Sequence, residues 1–381
     1  MRILLFFFLG FDLFLCVDFD IFKYHKINDN DILCPYYLNI SFGNITLSNI
    51  SIDTTTNYTW FYNLNIDETE KKEQISITLK DNSKIEGQLI KYKNISNNMT
   101  LEFINSSHVL GNNTLGVIGI GRQLLNNTFF EYLNFNNKSK DEENIILLIY
   151  SETQKKLQFY GQRNDIFTKT LNKTCNCSNE SDKLKELWNC KIKSFSINIS
   201  EIKIEDEYIA FSTLYKDIIA SSKTGKIILN DYLRIINSRY GEKRCELFEE
   251  NNFIKMRCQK LEEFEGIPDF SLITKDNNIK LTAIIDDLFQ NYNSTIQEFK
   301  IIYPKNEEKI WYIGEPIIKN YNLLFNFDNN GSIIIIESLS FGLFLVYIGF
   351  IIGFLILVIF LVMLYKARKK GDEISISLIN K

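Results

Sequence analysis

The chain has 381 residues, with 43 Lys and Arg against 47 Asp and Glu and a formal net charge of −4. Both signs are spread along it without a basic stripe, which excludes nucleic acid as an expected partner. Hydrophobic residues make up 45% of it, enough for sizeable cores rather than a disordered chain.

Arg2 precedes an apolar stretch from Ile3 to Val17, the pattern of a signal peptide, with Asp12 as an unusual interruption. Cleavage is expected between Cys16 and Asp20, which makes residues 1–19 the signal segment. Beyond it the chain runs in short alternating or β-branched stretches: Tyr37–Ile52, Gln74–Leu79, Ile145–Tyr150, Leu157–Tyr160, Lys191–Ile204, Lys226–Leu229, Phe299–Tyr303 and Leu323–Phe327. Clusters of Asn, Gly and Asp separate them, which predicts an all-β class. Leu124–Leu133 and Asp231–Asn237 read as helices, while Lys138–Asn144 and the Cys-rich Thr168–Asp182 read as loops. From Phe341 to Tyr365 no residue is charged, a run long enough to cross a hydrocarbon core of about 30 Å. Lys366, Arg368, Lys369 and Lys370 follow at once, so the positive-inside rule puts the tail, 366–381, in the cytosol. The expected topology is single-pass type I in the secretory pathway: a lumenal or extracellular ectodomain, then a transmembrane helix over 338–365 in the plasma membrane, a vesicle or a vacuole.

Cys16 falls in the signal segment, leaving Cys34, Cys175, Cys177, Cys190, Cys245 and Cys258. Six cysteines in an oxidising compartment predict three disulfides, in any of fifteen connectivities. Cys175, Cys177 and Cys190 have no fourth ligand nearby, and the chain has only His25 and His108, so neither a metal nor another cofactor is expected. Sixteen Asn-x-Ser/Thr sequons, fourteen of them before residue 200, predict a glycosylated surface.

Gly119 and Gly314 each close a β-branched run, where a strand passes another backbone too closely for a side chain. One such site per half is what two similar β-lobes facing a cleft require. Around them lies an ordered set of motifs. Tyr37–Phe42 and Ile50-Ser51-Ile52-Asp53-Thr54-Thr55 lead to Asn57 and Trp60. Ile75–Gly87 has the pattern of a hairpin, Leu115–Gly121 that of an apolar strand ending in Gly, and Phe129–Leu133 follows as a helix. Leu147–Tyr150 and Lys156–Gly161 come next, then Trp188, Cys245, Cys258, Leu261 and Pro268-Asp269-Phe270. The closing segment is Ile310-Trp311-Tyr312-Ile313-Gly314, followed by Tyr321, Phe325, Phe327-Asp328, Asn330 and Ile333–Ile336. In this order, across residues 36–337, the set resembles the pepsin-like aspartic protease family. The resemblance implies a bilobal all-β fold with lobes at 20–166 and 167–337, a flap over the cleft, and an Asp-Thr-Gly loop in each lobe.

Such an enzyme works because two close carboxylates share one proton, one acting as general base to water and the other as general acid. The resemblance assigns the first to Asp53. It puts Thr55 where the family has Gly, a substitution expected to strain the loop. Aligning Ile227–Asn230 with the family's apolar run puts Ser221, or Ala220 in the adjacent register, at the second position, with Asp217 upstream as the nearest acid. Leu79 stands where the flap has Tyr. Ser221 and Lys223 carry the residue types of a nucleophile pair, but two apart on a polar loop they read as surface. Trp60, Trp188 and Trp311 read as core. Losing one member of a catalytic unit commonly costs on the order of 10⁴–10⁶ in rate. The expectation is therefore a pseudo-protease binding an extended peptide or protein ligand in its interlobe cleft. The alternative is an active aspartic endopeptidase of an acidic secretory or vacuolar compartment.

Overall fold

A computed structural model describes residues 17–20, 22–23, 36–42, 45–64, 73–78, 84–93, 100–107, 115–122, 145–150, 155–160, 173–197, 200–326, 331–337, 352–362 and 365–366. Its first strands in chain order are β1 (Val17–Asp20), β2 (Phe22–Lys23), β3 (Tyr36–Phe42), β4 (Ile45–Asp53), β5 (Trp60–Tyr62), β6 (Glu73–Thr78), β7 (Lys84–Lys93), β8 (Thr100–Ser106) and β9 (Gly116–Gly119). Then come β10 (Ile145–Tyr150), β11 (Lys155–Tyr160), β12 (Thr174–Asn176), β13 (Asn189–Ile197), β14 (Ser200–Lys203), β15 (Tyr208–Phe211) and β16 (Ile218–Ile219). The last are β17 (Cys245–Glu250), β18 (Phe253–Gln259), β19 (Phe270–Thr274), β20 (Lys280–Ala283), β21 (Phe289–Asn291), β22 (Ile296–Pro304), β23 (Ile310–Ile313), β24 (Tyr321–Asn326) and β25 (Ser332–Glu337). Helices are few: α1 (Asp182–Lys185), α2 (Ser222–Tyr240), α3 (Glu315–Ile318) and α4 (352–362). The class is all-β, as the alternating runs predict.

The strands form three sheets. An eight-stranded sheet runs β2-β3-β4-β9-β5-β8-β7-β6, and an eleven-stranded one runs β17-β18-β22-β16-β23-β15-β13-β19-β20 with β14 on β13 and β21 on β22. A six-stranded sheet, β1-β11-β10-β24-β25-β12, draws strands from both ends of the sequence. The two larger sheets repeat one arrangement. In the first, β4 is parallel to β9, β9 antiparallel to β5, β5 parallel to β8, and β8, β7 and β6 follow antiparallel. In the second, β15, β23, β16, β22, β18 and β17 repeat that order with the same parallel and antiparallel steps.

Buried strands read as near-continuous apolar runs. Ile310-Trp311-Tyr312-Ile313 of β23 is buried throughout. Trp60, Trp188 and Trp311 are core side chains, Trp311 stacking on Phe270 and Trp188 packing on Phe325. Trp188 also donates its indole N–H to the Ile120 carbonyl at 2.9 Å. Arg122 donates to the carbonyls of Ser178 at 2.9 Å and Leu184 at 3.2 Å, joining the end of β9 to the chain around α1.

Two expectations are corrected. Lys226–Leu229 is not a strand but part of α2, because Ser221 caps a helix whose buried residues Ile228, Leu229, Tyr232 and Ile236 recur at helical spacing. The segment read as the loop Thr168–Asp182 contains β12. Two disulfides join Cys175 to Cys190 and Cys245 to Cys258, the second tying β17 to β18. Cys177 is a buried free thiol, and Cys34 lies outside the described residues, as do the helix Leu124–Leu133 and the loop Lys138–Asn144. Contacts divide the chain into Met1–Ile336 and Glu337–Lys381. In the second unit α4 is apolar and exposed along its length. Among the described residues no helix is long and apolar enough to cross a membrane.

Candidate functional site

The repeat brings two loops together at the C-terminal ends of β4 and β15. In the first loop Asp53 pairs with Gly119 of the parallel strand β9. Its carboxylate is 1% exposed, and Oδ1 accepts the amide of Thr55 at 2.8 Å and the hydroxyl of Thr55 at 2.6 Å. Thr55 does not take a positive φ, so its backbone does not require the glycine that the resemblance implies there. Its side chain serves the loop as a second donor to Asp53, a role that glycine could not supply.

The second loop follows β15, where Phe211 pairs with Ile313 of β23. The next residue, Ser212, therefore stands to Gly314 as Asp53 stands to Gly119. The local bonding agrees, because Ser212 Oγ accepts the amide of Leu214 at 3.3 Å as Asp53 Oδ1 accepts that of Thr55. The glycines agree as well. A Cβ on Gly119 would lie 2.4 Å from the Tyr58 carbonyl oxygen and 2.7 Å from that of Thr56. One on Gly314 would lie 2.2 Å from the carbonyl oxygen of Asp217 and 2.4 Å from that of Tyr215. Both positions need glycine because a backbone crosses there, as their place after apolar runs predicts.

The middle residues of the loops interlock. Thr54 Oγ1 donates to the Phe211 carbonyl at 2.5 Å and accepts the Thr213 amide at 3.3 Å, while Thr213 Oγ1 donates to the Ile52 carbonyl at 2.6 Å. Every partner is buried, so these bonds satisfy groups that water cannot reach.

Ser221, expected opposite Asp53, does not take the place in the second loop that matches Asp53; Ser212 does. Ser221 is the N-cap of α2, accepting the Thr224 amide at 3.3 Å and donating to Glu207 Oε2 at 2.7 Å. The adjacent register fails too, since Ala220 is core beside β16. Lys223 lies exposed on the first turn of α2, while the Ser221 hydroxyl is committed to Glu207 and the Thr224 amide. Asp217 supplies one of the carbonyls that cross at Gly314, and its side chain is buried. Burial raises its carboxyl to about 6 against the pull of Lys216, Lys300 and Lys255.

Apolar groups close over the loops. One hydrophobic cluster joins Trp60, Ile85 and Val117 to Leu214, Tyr215 and Tyr312, with Ile75 and Ile77 of the β6–β7 hairpin packed against it. The Tyr312 hydroxyl is buried without a hydrogen-bond partner among the described residues. Burial first, then the negative charges of Glu308 and Asp53, raises its pKa well above the usual phenol value. Leu79, expected where the flap has Tyr, lies outside the described residues. Among the described residues no group of three or more His, Cys, Asp or Glu side chains could hold a metal ion.

The missed residue is Ser212. Its strand β15 is four residues long and its loop lacks glycine, so neither alternation nor a turn signal marks it. The one available signal was the strand Ile310–Ile313 with Gly314, which requires a parallel partner ending one residue before a polar loop. No protein-family model and no curated protein matches the chain.

Proposed function

We propose that the chain is a membrane-anchored, catalytically inactive homologue of the pepsin-like aspartic proteases, whose interlobe cleft binds an extended peptide or protein segment. The repeated six-strand arrangement, the sheet shared by both ends of the chain and the reciprocal Thr54–Thr213 bonds all support a bilobal fold of that kind.

The observation that carries the reading is Ser212 opposite Asp53. A dyad acts because two carboxylates in contact cannot both ionise, which splits their pKa values into a base and an acid near working pH. A serine hydroxyl has no comparable second ionisation, so water activation by Asp53 would lack the acid that protonates the carbonyl oxygen. Binding needs no second acid, since an extended ligand is held by backbone pairing and side-chain pockets. Asp53 is 1% exposed and Ile75 and Ile77 pack against the cluster that includes Leu214 and Tyr215, so a ligand reaching the loops would displace some of that packing. The raised carboxyl of Asp217 has burial as its main cause, with Lys216, Lys300 and Lys255 opposing it, so it is not by itself a sign of a second catalytic acid.

The test is peptide cleavage at pH 3–6 by the detergent-solubilised full chain, with Asp53→Ala and Ser212→Asp alongside. No cleavage by the native chain and a gain in Ser212→Asp support the reading. Cleavage by the native chain that disappears in Asp53→Ala would instead make it an active endopeptidase.

A further inference from the structure

Side chains alternate along β23. Trp311 and Ile313 join the larger core, while Ile310 and Tyr312 belong to the cluster that holds Leu214 and Tyr215 of the second loop. Trp311 settles its polar atom, donating the indole N–H to Glu207 at 2.6 Å. The buried tyrosines Tyr208, Tyr232 and Tyr321 do the same, their hydroxyls donating to Glu180, the Pro268 carbonyl and the Lys280 carbonyl. Tyr312 does not. It is 3% exposed, and its hydroxyl has no partner among the described residues.

The fold holds Tyr312 firmly. Its backbone pairs with Ala210 of β15 and Ile219 of β16, and its ring meets that of Tyr215 edge-on at 6.2 Å. Trp60 and Val117 share the cluster, and Ile75 and Ile77 of the β6–β7 hairpin pack against it. Two negative charges act on the hydroxyl, Glu308 just before β23 and Asp53 in the first loop. Neither accepts from it. Glu308 is held by Lys183 and by the amides of Lys309 and Ile310, and Asp53 Oδ1 by Thr55. An orphaned buried hydroxyl is destabilising, so a fold that keeps one points to a partner that arrives with a ligand.

We propose that Tyr312 sets the specificity of the cleft, its hydroxyl donating to a neutral amide carbonyl of the bound segment. This rests on the cleft reading and adds what the cleft selects. Because Tyr312 shares its cluster with Ile75 and Ile77, a segment that displaces them enters the same packed region. The carbonyl comes from the segment's backbone or from an Asn or Gln side chain. A carboxylate at that place would meet the charges of Glu308 and Asp53 in apolar surroundings that screen them little, so Asp and Glu are rejected.

The probes are fluorescein-labelled, acetylated octapeptide amide pools, each with one position fixed as Asn, Gln, Asp, Glu or Leu and the rest mixed. They are titrated against the detergent-solubilised full chain by fluorescence anisotropy. Tyr312→Phe removes the hydroxyl and keeps the ring. Tyr232→Phe, which removes a bonded hydroxyl from α2, is the control. Tyr312→Phe should weaken binding about tenfold, while its thermal midpoint stays level or rises because the free chain loses no bond. Tyr232→Phe should do the reverse, with a lower midpoint and unchanged binding. A loss confined to pools with Asn or Gln at one position assigns the carbonyl to a side chain, and a loss across all binding pools assigns it to the backbone. A lower midpoint in Tyr312→Phe overturns the proposal, since the hydroxyl would already be bonded in the free chain. Native-like binding by Tyr312→Phe, or Asp and Glu pools that bind more tightly than Asn and Gln pools, overturns it too and leaves the cleft reading standing. If no pool binds the native chain at about 1 mM, the cleft reading fails and this proposal with it.

Discussion

Thr54 and Thr213 hold each other's loops: the Thr54 hydroxyl accepts the Thr213 amide and donates to the carbonyl just before Ser212, and the Thr213 hydroxyl reaches back to Ile52. The pairing is made with Ser212, not a second acid, at the place that matches Asp53. Its role is therefore separable from catalysis. Thr54→Val keeps the shape but leaves the Phe211 carbonyl and the Thr213 amide buried without a partner. At about 1–3 kcal/mol for each of the two orphaned groups, the variant should lose on the order of 2–6 kcal/mol. Thr54→Ser should retain most of the stability. Urea unfolding of the solubilised chain measures both, and an unchanged midpoint in Thr54→Val would show that the hydroxyl is dispensable.

Much of this site was legible in the sequence, and the part that was not has a local cause. Asp53, Gly119 and Gly314 sit beside β-branched runs whose ends mark a close backbone approach, so their places could be read. The second loop was misread because Ile227-Ile228-Leu229 imitates a strand. Only the spacing of Ile228, Tyr232 and Ile236, with Ser221 as N-cap, assigns it to α2. Ser212-Thr213-Leu214-Tyr215 carries no glycine, and its identity comes from long-range pairing of β15 with β23, which local pattern does not encode. The strain expected at Thr55 missed a side-chain bond, since the same hydroxyl that crowds the loop also binds Asp53.

The two crossing points make a second prediction. A methyl group on Gly119 or Gly314 would meet carbonyl oxygens at 2.4 and 2.2 Å, and these belong to backbone that cannot swing aside. Gly119→Ala and Gly314→Ala should each cost about 3 kcal/mol, the upper end of ordinary overpacking. Gly353→Ala, in α4 with no atom within 4 Å of the added Cβ, should not destabilise. Thermal midpoints of the three variants rank them. Equal midpoints would mean that the loops move apart without cost, and the pseudo-symmetric crossing would lose its physical basis.

The cysteines give a third. Cys177 is buried, and desolvation lifts its thiol to about 11 despite the pull of Arg122. In the native fold at pH 8 it should resist iodoacetamide, for want of both access and thiolate. Unfolding without reductant should expose it while Cys175, Cys190, Cys245 and Cys258 stay protected in their disulfides. Peptide mapping by mass spectrometry reads the label on each cysteine. Recovery of Cys177 in a disulfide would revise this assignment and restore the expected third bridge.

Asp217 ties stability to pH. Burial is the main cause of its raised carboxyl, which titrates at about 6 where an unperturbed aspartate has 3.8, and Lys216, Lys300 and Lys255 offset only part of that cost. Because the folded state holds the proton more tightly than the unfolded chain, the group's contribution is fully present below pH 3.8 and is lost as pH rises through about 6. Two pH units correspond to roughly 3 kcal/mol. Asp217→Asn is neutral at every pH and should not show this loss, so the variant should gain on the native chain between about pH 4 and 6.5. Above that range the difference should stay constant. Urea midpoints of both chains from pH 3.5 to 7.5 test the sign directly. If the native chain instead gains on Asp217→Asn as pH rises, the three lysines outweigh desolvation, and Asp217 belongs to a stabilising ion cluster with Lys216, Lys255 and Lys300.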